Sequence, residues 1–216
     1  MRDKEILLID KPKGISSFEV IRILRKKLRV KKMGHSGTLD PLASGLLIIG
    51  FGKGTKKLKN FLKLPKVYLA EILLGRKTET GDQDGKVLVE KEIEGLPVEK
   101  VKKVLTEIKG KHYLPVPKYS AIKRKGVPLY KLARRGIDFQ PPKKMMEVYS
   151  IKFLSLTKKD KFFLLKVEIF CSSGTYIRSL AEEIGRKLSL PASLFNLRRT
   201  KIGKFKIEEA KKLEDF

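Results

Sequence analysis

The segment 34–45 constrains the fold of this chain most strongly. It reads GHSGTLDPLASG, and its glycines, aspartate and proline interrupt both helical and strand periodicity. The apolar run Leu46-Leu47-Ile48-Ile49 follows at once and is typical of a buried strand. The sequence therefore predicts a loop rich in polar groups beside a strand of the core.

Strands and helices interleave irregularly along the rest of the chain. We expect strands at 5–12, 67–74, 162–171 and 197–207, and helices at 18–28, 56–64, 97–110 and 177–188. Ser16 and Glu19 form a capping-box pattern, Pro97 suits a helix start, and Gly110 suits a helix end. A short charged helix closes the chain. This order predicts an α+β domain with a mixed sheet.

The charge of the chain is strongly unbalanced. Lysine and arginine number 50 against 24 acidic residues, which gives a net charge of +26 and a pI near 10.1. Heat-adapted proteins also carry many charges, but that adaptation raises both signs. The imbalance therefore indicates a polyanionic partner, with nucleic acid favoured over an anionic membrane.

The sequence lacks the features of disulfide-bonded, zinc-binding, nucleotide-binding, serine hydrolase and membrane-spanning proteins. One cysteine, Cys171, excludes an intramolecular disulfide, and with only two histidines it does not form a recognisable zinc site. The run 50–56, GFGKGTK, fits neither nucleotide-binding glycine motif, and no hydrolase elbow is present. No apolar run approaches the length of a membrane span. We expect a cytoplasmic protein without metal or cofactor.

Segments spread from Glu5 to about Phe205 carry a resemblance to one family. They are, in order, DKPKG with two serines following, GHSGTLDPLASGLL with a downstream GxGxxTK, KVY ahead of LLGRKTETGDQDG, KYSAIKRKGVPLYKLARRG, CSSGTYIRSLAEEIG and FNLRRTKIGKF. Together they resemble the bacterial TruB family of tRNA pseudouridine synthases. The resemblance implies the pseudouridine synthase fold, a mixed and largely antiparallel sheet flanked by helices.

The implied activity is the isomerisation of uridine to pseudouridine in the T loop of transfer RNA, at position 55 of standard tRNA numbering. This reaction breaks the N1–C1′ bond and rejoins the base through C5, so it requires no metal, redox partner or phosphate donor. The partner would be the T stem-loop, acted on without a guide RNA. Guide-RNA-dependent synthases share the GHSGTLDP core and are one alternative, and a non-catalytic tRNA-folding chaperone is another.

The resemblance assigns catalytic roles to three residues. Asp40 matches the family's catalytic carboxylate, which either attacks the nucleoside or abstracts a ribose proton. Arg178, in GTYIR, matches the arginine that pairs with it, because a carboxylate in a dry pocket needs a cation to stay ionised. Tyr68 matches the tyrosine that stacks on the target base and is a candidate for removing the C5 proton.

Further residues match positions that bind the flipped nucleotide. His35 resembles the residue that occupies or props open the vacated space, and Tyr176 and Leu197 resemble residues that line the pocket. The Pro- and Lys-rich stretch at about 118–144 resembles a thumb-like RNA-gripping insertion. Its candidate phosphate contacts are Lys123, Arg124, Lys125, Arg134 and Arg135.

The chain departs from the family pattern near its end. Bacterial members usually continue into a C-terminal RNA-binding domain of the PUA type, whereas this sequence ends at Phe216. We therefore expect residues 1–216 to form one catalytic domain with the basic insertion and no PUA domain. We also expect a monomer.

Overall fold

The computed structural model describes residues 5–216, which divide into two compact units. Unit 1 comprises the described residues up to Leu69, together with Glu168–Gly174 and Asn196–Phe216. Unit 2 comprises Ala70–Val167 and Thr175–Phe195. Each unit therefore contains segments that are distant in the sequence.

The secondary structure mixes strands and helices along the chain. The strands are β1 Ile6–Lys11, β2 Met33–Ser36, β3 Ser44–Phe51, β4 Lys66–Leu74, β5 Arg76–Thr78, β6 Val87–Glu90, β7 Gly110–Pro115, β8 Lys123–Arg124, β9 Val127–Pro128, β10 Lys143–Lys159, β11 Phe162–Cys171, β12 Ala192–Ile202 and β13 Phe205–Lys206. The helices are α1 Ser17–Leu28, α2 Leu58–Lys63, α3 Val98–Ile108, α4 Leu129–Arg134 and α5 Ile177–Leu188. Short 3-10 helices lie at Gly52–Lys57, Ile207–Glu209 and Leu213–Asp215.

Strand β3 forms the centre of unit 1. It pairs antiparallel with β1 and β2 and parallel with β12. Its residues 46–49 are completely buried, since Leu47 and Ile49 pack in the cluster that contains α1, whereas Leu46 and Ile48 pack with Ile202. The uninterrupted apolar run is thus explained by burial on both faces of the strand.

Helix α1 packs over this sheet and brings its N-terminus to the segment that precedes β3. The side chain of Ser16 accepts a hydrogen bond from the backbone N–H of Glu19 at 3.0 Å, as an N-cap does. Val20, Ile21 and Leu24 form the buried face. The helix ends at Arg29, which adopts the left-handed conformation.

Unit 2 contains antiparallel strands covered by two helices. Strand β7 pairs with β10, β11 lies beside β10, and the unit 2 residues of β4 follow β11. Helices α3 and α5 pack against each other, and α3 also contacts β10. Strands β5 and β6 form one small antiparallel pair, and β8 and β9 form another within the basic insertion.

The prediction of an α+β fold with a mixed, largely antiparallel sheet is confirmed. Several element boundaries were wrong. Residues 34–36 belong to β2, Gly110 opens β7 instead of capping α3, and the expected strand 197–207 turns at Gly203 into β13. The closing helix consists of two short 3-10 turns. Among the helices of residues 5–216, none is long and apolar enough to cross a membrane.

Candidate active site

Asp40 lies, half-buried, in the loop between β2 and β3. The hydroxyl of Ser17 accepts a hydrogen bond from the N–H of Leu39 at 2.9 Å and donates one to its carbonyl at 3.1 Å. On the other side of Asp40, the carbonyl of Pro41 accepts a hydrogen bond from the N–H of Gly14 at 2.9 Å. The backbone on both sides of the carboxylate is therefore held by the segment that leads into α1.

Arg199 holds the same loop from the opposite direction. Its side chain extends from β12 and the residue is 1% exposed. Its Nε donates to the carbonyl of Leu46 at 2.8 Å, and its Nη2 donates to the carbonyl of Gly37 at 3.1 Å. Gly37 precedes Asp40 and Leu46 follows it, within β3. One guanidinium therefore ties the start of the loop to the strand that follows it.

Lys11 is a second buried cation near Asp40. Its Nζ donates to the carbonyls of Pro12 at 2.8 Å and Ile15 at 2.7 Å. Burial lowers the pKa of Lys11 to about 8, although the nearby Asp40 carboxylate opposes this shift and Arg199 adds to it. The Asp40 carboxylate therefore lies in a region of positive potential.

Lys66, at the start of β4, is a third buried cation. Its Nζ donates to the carbonyls of Leu62 and Leu64, each at 2.6 Å, and to the Ser173 hydroxyl at 3.0 Å. Burial lowers its pKa to about 8, and the charge of Arg199 acts in the same direction. The carbonyl acceptors compensate the loss of water around this ammonium group.

Tyr68 lies two residues further along β4 and is 8% exposed. Burial raises the pKa of its phenol, whereas Arg199 lowers it by charge and by hydrogen bonding. Cys171 and Asp40 add smaller effects that raise it. The phenol is therefore protonated at neutral pH, and Arg199 is the neighbour that favours its ionisation.

His35 and Leu197 also belong to unit 1. Burial lowers the pKa of His35, and the charge of Arg199 adds to this effect, so the imidazole is neutral at physiological pH. Its Nδ1 is buried without a hydrogen-bond partner in the described part of the chain. Leu197 is 7% exposed and lies two residues before Arg199 on β12, on the same side of the strand.

Arg178 and Tyr176 lie at the start of α5, in unit 2. Arg178 is 5% exposed, and it donates through Nη1 to the carbonyl of Thr80 at 2.8 Å and through Nη2 to that of Tyr119 at 3.0 Å. Its Nη1 also lies 3.6 Å from the carboxylate of Asp82. Tyr176 is the N-cap residue of α5. Arg178 is thus fixed by three neighbours within its own unit, and its pairing with Asp40 stays a prediction.

A cavity of about 310 Å³ in unit 2 is lined in part by Arg178. Lys77, Lys118 and Glu182 are among its other walls. Burial raises the pKa of Glu182, although Lys77 and Arg178 oppose this shift. The arginine therefore borders open space and is not enclosed within the core.

The five candidate phosphate contacts all lie in exposed positions of unit 2. Lys123 and Arg124 form β8, and Lys125 lies in the turn before β9 with a φ of 48°. Arg134 ends α4 and Arg135 follows it. Their side chains are accessible to a large polyanion.

The sequence analysis did not single out Lys11, Lys66, Arg199 or Asp82. Charged residues are rarely buried, so composition gave no reason to place them inside. The alternation of a strand offered one signal, because Leu197 and Arg199 share a face of β12, as Lys66 and Tyr68 share a face of β4. Within residues 5–216, no group of three His, Cys, Asp or Glu side chains could hold a metal ion.

Comparison with known proteins gives consistent results. Residues 25–177 match the family described as TruB family pseudouridylate synthase, N-terminal domain. A tRNA pseudouridine synthase B of Endomicrobium trichonymphae is 42% identical over 97% of this chain and 90% of its own length. The enzyme of the same name from Aquifex aeolicus is 44% identical over 97% of this chain and 72% of its own length.

Solved structures show the same architecture. A chain in a Cbf5–Nop10–Gar1 complex is 30% identical, with a TM-score of 0.73 over 98% of this chain. A chain in an H/ACA RNP bound to a substrate RNA is 27% identical, with a TM-score of 0.71 over 98% of this chain. The chain described here spans about half the length of each, 53% and 51% respectively.

The lowered pKa of Lys66 makes the free energy of unfolding depend on pH. An unfolded lysine titrates at about 10.4, whereas the pKa of folded Lys66 is about 8. Between these values the unfolded chain binds more protons, so the free energy of unfolding should rise with pH. Urea unfolding at about pH 8 and about pH 10 should show a larger rise for the wild type than for Lys66→Met.

The exposed Lys59 of α2 provides the matched control. Lys59→Met should leave the pH dependence of the wild type in place. An equal rise in the wild type and in Lys66→Met would contradict the depressed pKa of Lys66.

Proposed function

The chain belongs to the TruB family of pseudouridine synthases, and on this premise we propose that it isomerises one uridine in the T loop of transfer RNA. The relatives named tRNA pseudouridine synthase B carry this conclusion, because they align over 97% of the chain at 42% and 44% identity. This substrate is a polyanion, which agrees with the net charge of +26.

Asp40 is the catalytic carboxylate in this proposal. Isomerisation breaks the N1–C1′ bond, turns the base and forms a C5–C1′ bond, and the proton lost from C5 is balanced by one gained at N1. Asp40 either attacks the nucleoside or abstracts a ribose proton, and both routes require an ionised carboxylate. The hydrogen bonds that hold the loop support this role, since they orient the carboxylate.

Arg178 supplies the fixed cation of the catalytic pair. The match of GTYIR to the family motif supports this assignment. Its hydrogen bonds to the carbonyls of Thr80 and Tyr119 leave the guanidinium few rotamers, so little entropy would be lost when it binds an anion.

Tyr68 stacks on the target base and accepts the C5 proton late in the reaction. The match of KVY to the family motif supports the stacking role, because an aromatic face binds a planar base. Transfer of the C5 proton requires the phenol to ionise, which burial opposes and Arg199 favours.

His35, Tyr176 and Leu197 bind the region of the flipped nucleotide. Flipping breaks stacking at a cost of about a few kcal/mol, which contacts in the vacated space and in the pocket offset. The neutral state of His35 supports insertion into a base stack, since an uncharged ring loses less hydration than a charged one.

The basic insertion grips the phosphate backbone of the RNA. Its exposed lysines and arginines release counterions when they bind phosphates, and each such contact makes affinity more sensitive to salt. We assign this role to Lys123, Arg124, Lys125, Arg134 and Arg135.

The enzyme acts as a monomer in the cytoplasm and needs no guide RNA in this proposal. Sequence identity favours a synthase that acts without a guide RNA. The chain is 42% identical to the Endomicrobium synthase B but 27% identical to the chain in the H/ACA RNP complex.

Asp40→Asn should abolish catalysis without preventing RNA binding. The amide keeps the shape of the side chain but can neither attack as an anion nor accept a proton. We expect the single-turnover rate constant for tritium release from tRNA labelled at C5 of uridine to fall by at least about a thousandfold. The dissociation constant for the tRNA should change little.

Asp160→Asn is the control, because Asp160 is an exposed residue of the turn between β10 and β11. It should retain the activity of the wild type. Residual activity of Asp40→Asn close to that of Asp160→Asn would rule out Asp40 as the catalytic carboxylate.

The basic insertion should account for part of the salt dependence of tRNA binding. Replacement of Lys123, Arg124 and Lys125 by Gln should reduce the slope of log affinity against log salt by about 2 to 3. The same change at Lys100, Lys103 and Lys109, three exposed lysines in and next to α3, is the control for charge alone. Equal reductions in both triple variants would contradict a specific role of the insertion.

A further inference from the structure

We propose that Arg199 is a positioning residue of the reaction: its buried guanidinium ties the start of the loop that carries Asp40 to the strand β3 that follows this loop. This inference rests on the proposed function. In this inference Arg199 acts through the loop and does not contact the substrate.

The first support is the geometry of the fork. A guanidinium is planar, and its N–H groups point in fixed directions, so two hydrogen bonds from one side chain define the distance between two acceptors. Here Nε binds the carbonyl of Leu46 at 2.8 Å and Nη2 binds that of Gly37 at 3.1 Å. A lysine ammonium is a single donor atom on a flexible stem, so it would not fix the two carbonyls at the separation that the planar fork imposes.

The second support is the rigid mounting of Arg199. It pairs with Gly45 in the parallel ladder between β12 and β3. Gly45 has a φ of 105°, and a Cβ atom built on it would lie 2.3 Å from the carbonyl oxygen of Arg199. The backbones are therefore in direct contact, which leaves the base of the arginine side chain little freedom to shift.

The third support is the group of polar side chains that Arg199 influences. The charge of Arg199 acts on Tyr68, His35, Lys11 and Lys66. Its guanidinium donates hydrogen bonds to two backbone carbonyls, which do not neutralise its charge. Burial of such a cation is costly compared with an apolar side chain, so stability alone does not account for it.

Arg199→Lys tests the inference and keeps the charge. The variant should lower the single-turnover rate constant by about tenfold or more, because the loop loses its fixed geometry, while affinity for tRNA stays within about twofold. Hydrogen exchange should become faster in a peptide that covers residues 37–46.

Arg198→Lys is the matched control on the same strand. Arg198 is half-exposed and binds Asp10 through both carboxylate oxygens, at 3.0 Å and 2.6 Å. Its side chain also makes a long contact with residues 37–46, at 3.4 Å from Nη1 to the Ser44 hydroxyl. Its rate constant and loop exchange should stay within about twofold of the wild type. A folded Arg199→Lys variant that behaves like Arg198→Lys in rate and exchange would overturn the inference.

Gly37→Ala is a second test of the role of Arg199, for use if Arg199→Lys does not fold. Gly37 has a φ of 85°, which an alanine adopts only with strain, so relief of that strain should move the Gly37 carbonyl relative to the guanidinium. The rate constant and loop exchange should change in the same direction as in Arg199→Lys. Wild-type rate and exchange in Gly37→Ala would overturn the inference.

The hydrogen-exchange measurement tests this inference independently of the proposed function. A wild type that forms no pseudouridine refutes the function, and the loop exchange of the variants then decides alone whether Arg199 holds the loop. An active wild type with unchanged variants refutes only the role of Arg199.

Discussion

The hydrogen bonds from Arg199 to the carbonyls of Gly37 and Leu46 hold the loop that carries Asp40 against the core of unit 1. The apolar run of β3 that begins at Leu46 is fixed by burial on both faces. The loop before β3 contains glycines and a proline, and a hydrogen bond from the N–H of Ala43 to the carbonyl of Asp40 at 3.0 Å closes a turn within it. Further rigidity comes from outside the loop. Arg199 supplies it from β12, and Ser17 supplies it from the start of α1.

The electrostatics of unit 1 follow from three cations that are buried together. Lys11, Lys66 and Arg199 are satisfied mainly by backbone carbonyls, which compensate lost hydration without neutralising charge. Burial lowers the pKa of His35 and the charge of Arg199 adds to this effect, whereas Arg199 partly offsets the rise that burial causes in the pKa of Tyr68. A site of this kind favours anionic groups without a metal ion, in keeping with chemistry that only rearranges bonds within one nucleoside.

The sequence predicted the fold class and elements such as α1, α5, β1 and β11, because amphipathic periodicity and turn residues depend on neighbours along the chain. It did not predict β7 or the 17-residue strand β10. The resemblance identified Asp40, Tyr68, His35 and Leu197, which the structure brings into one unit. It did not identify Lys66 or Arg199, since their importance depends on burial against carbonyls that are distant in sequence. The hairpin of β12 and β13 was missed for a local reason, because Gly203, with a φ of 52°, reverses a run that was expected to continue as one strand.

The most direct test of the account is a map of pseudouridine at single-nucleotide resolution in an unmodified tRNA transcript. The transcript is incubated with the purified protein alone, without guide RNA or added metal. The account predicts one new pseudouridine, at the T-loop uridine, in nearly every molecule. Tight binding of the transcript with no pseudouridine at that position would contradict it and would favour a guide-dependent enzyme or an RNA chaperone.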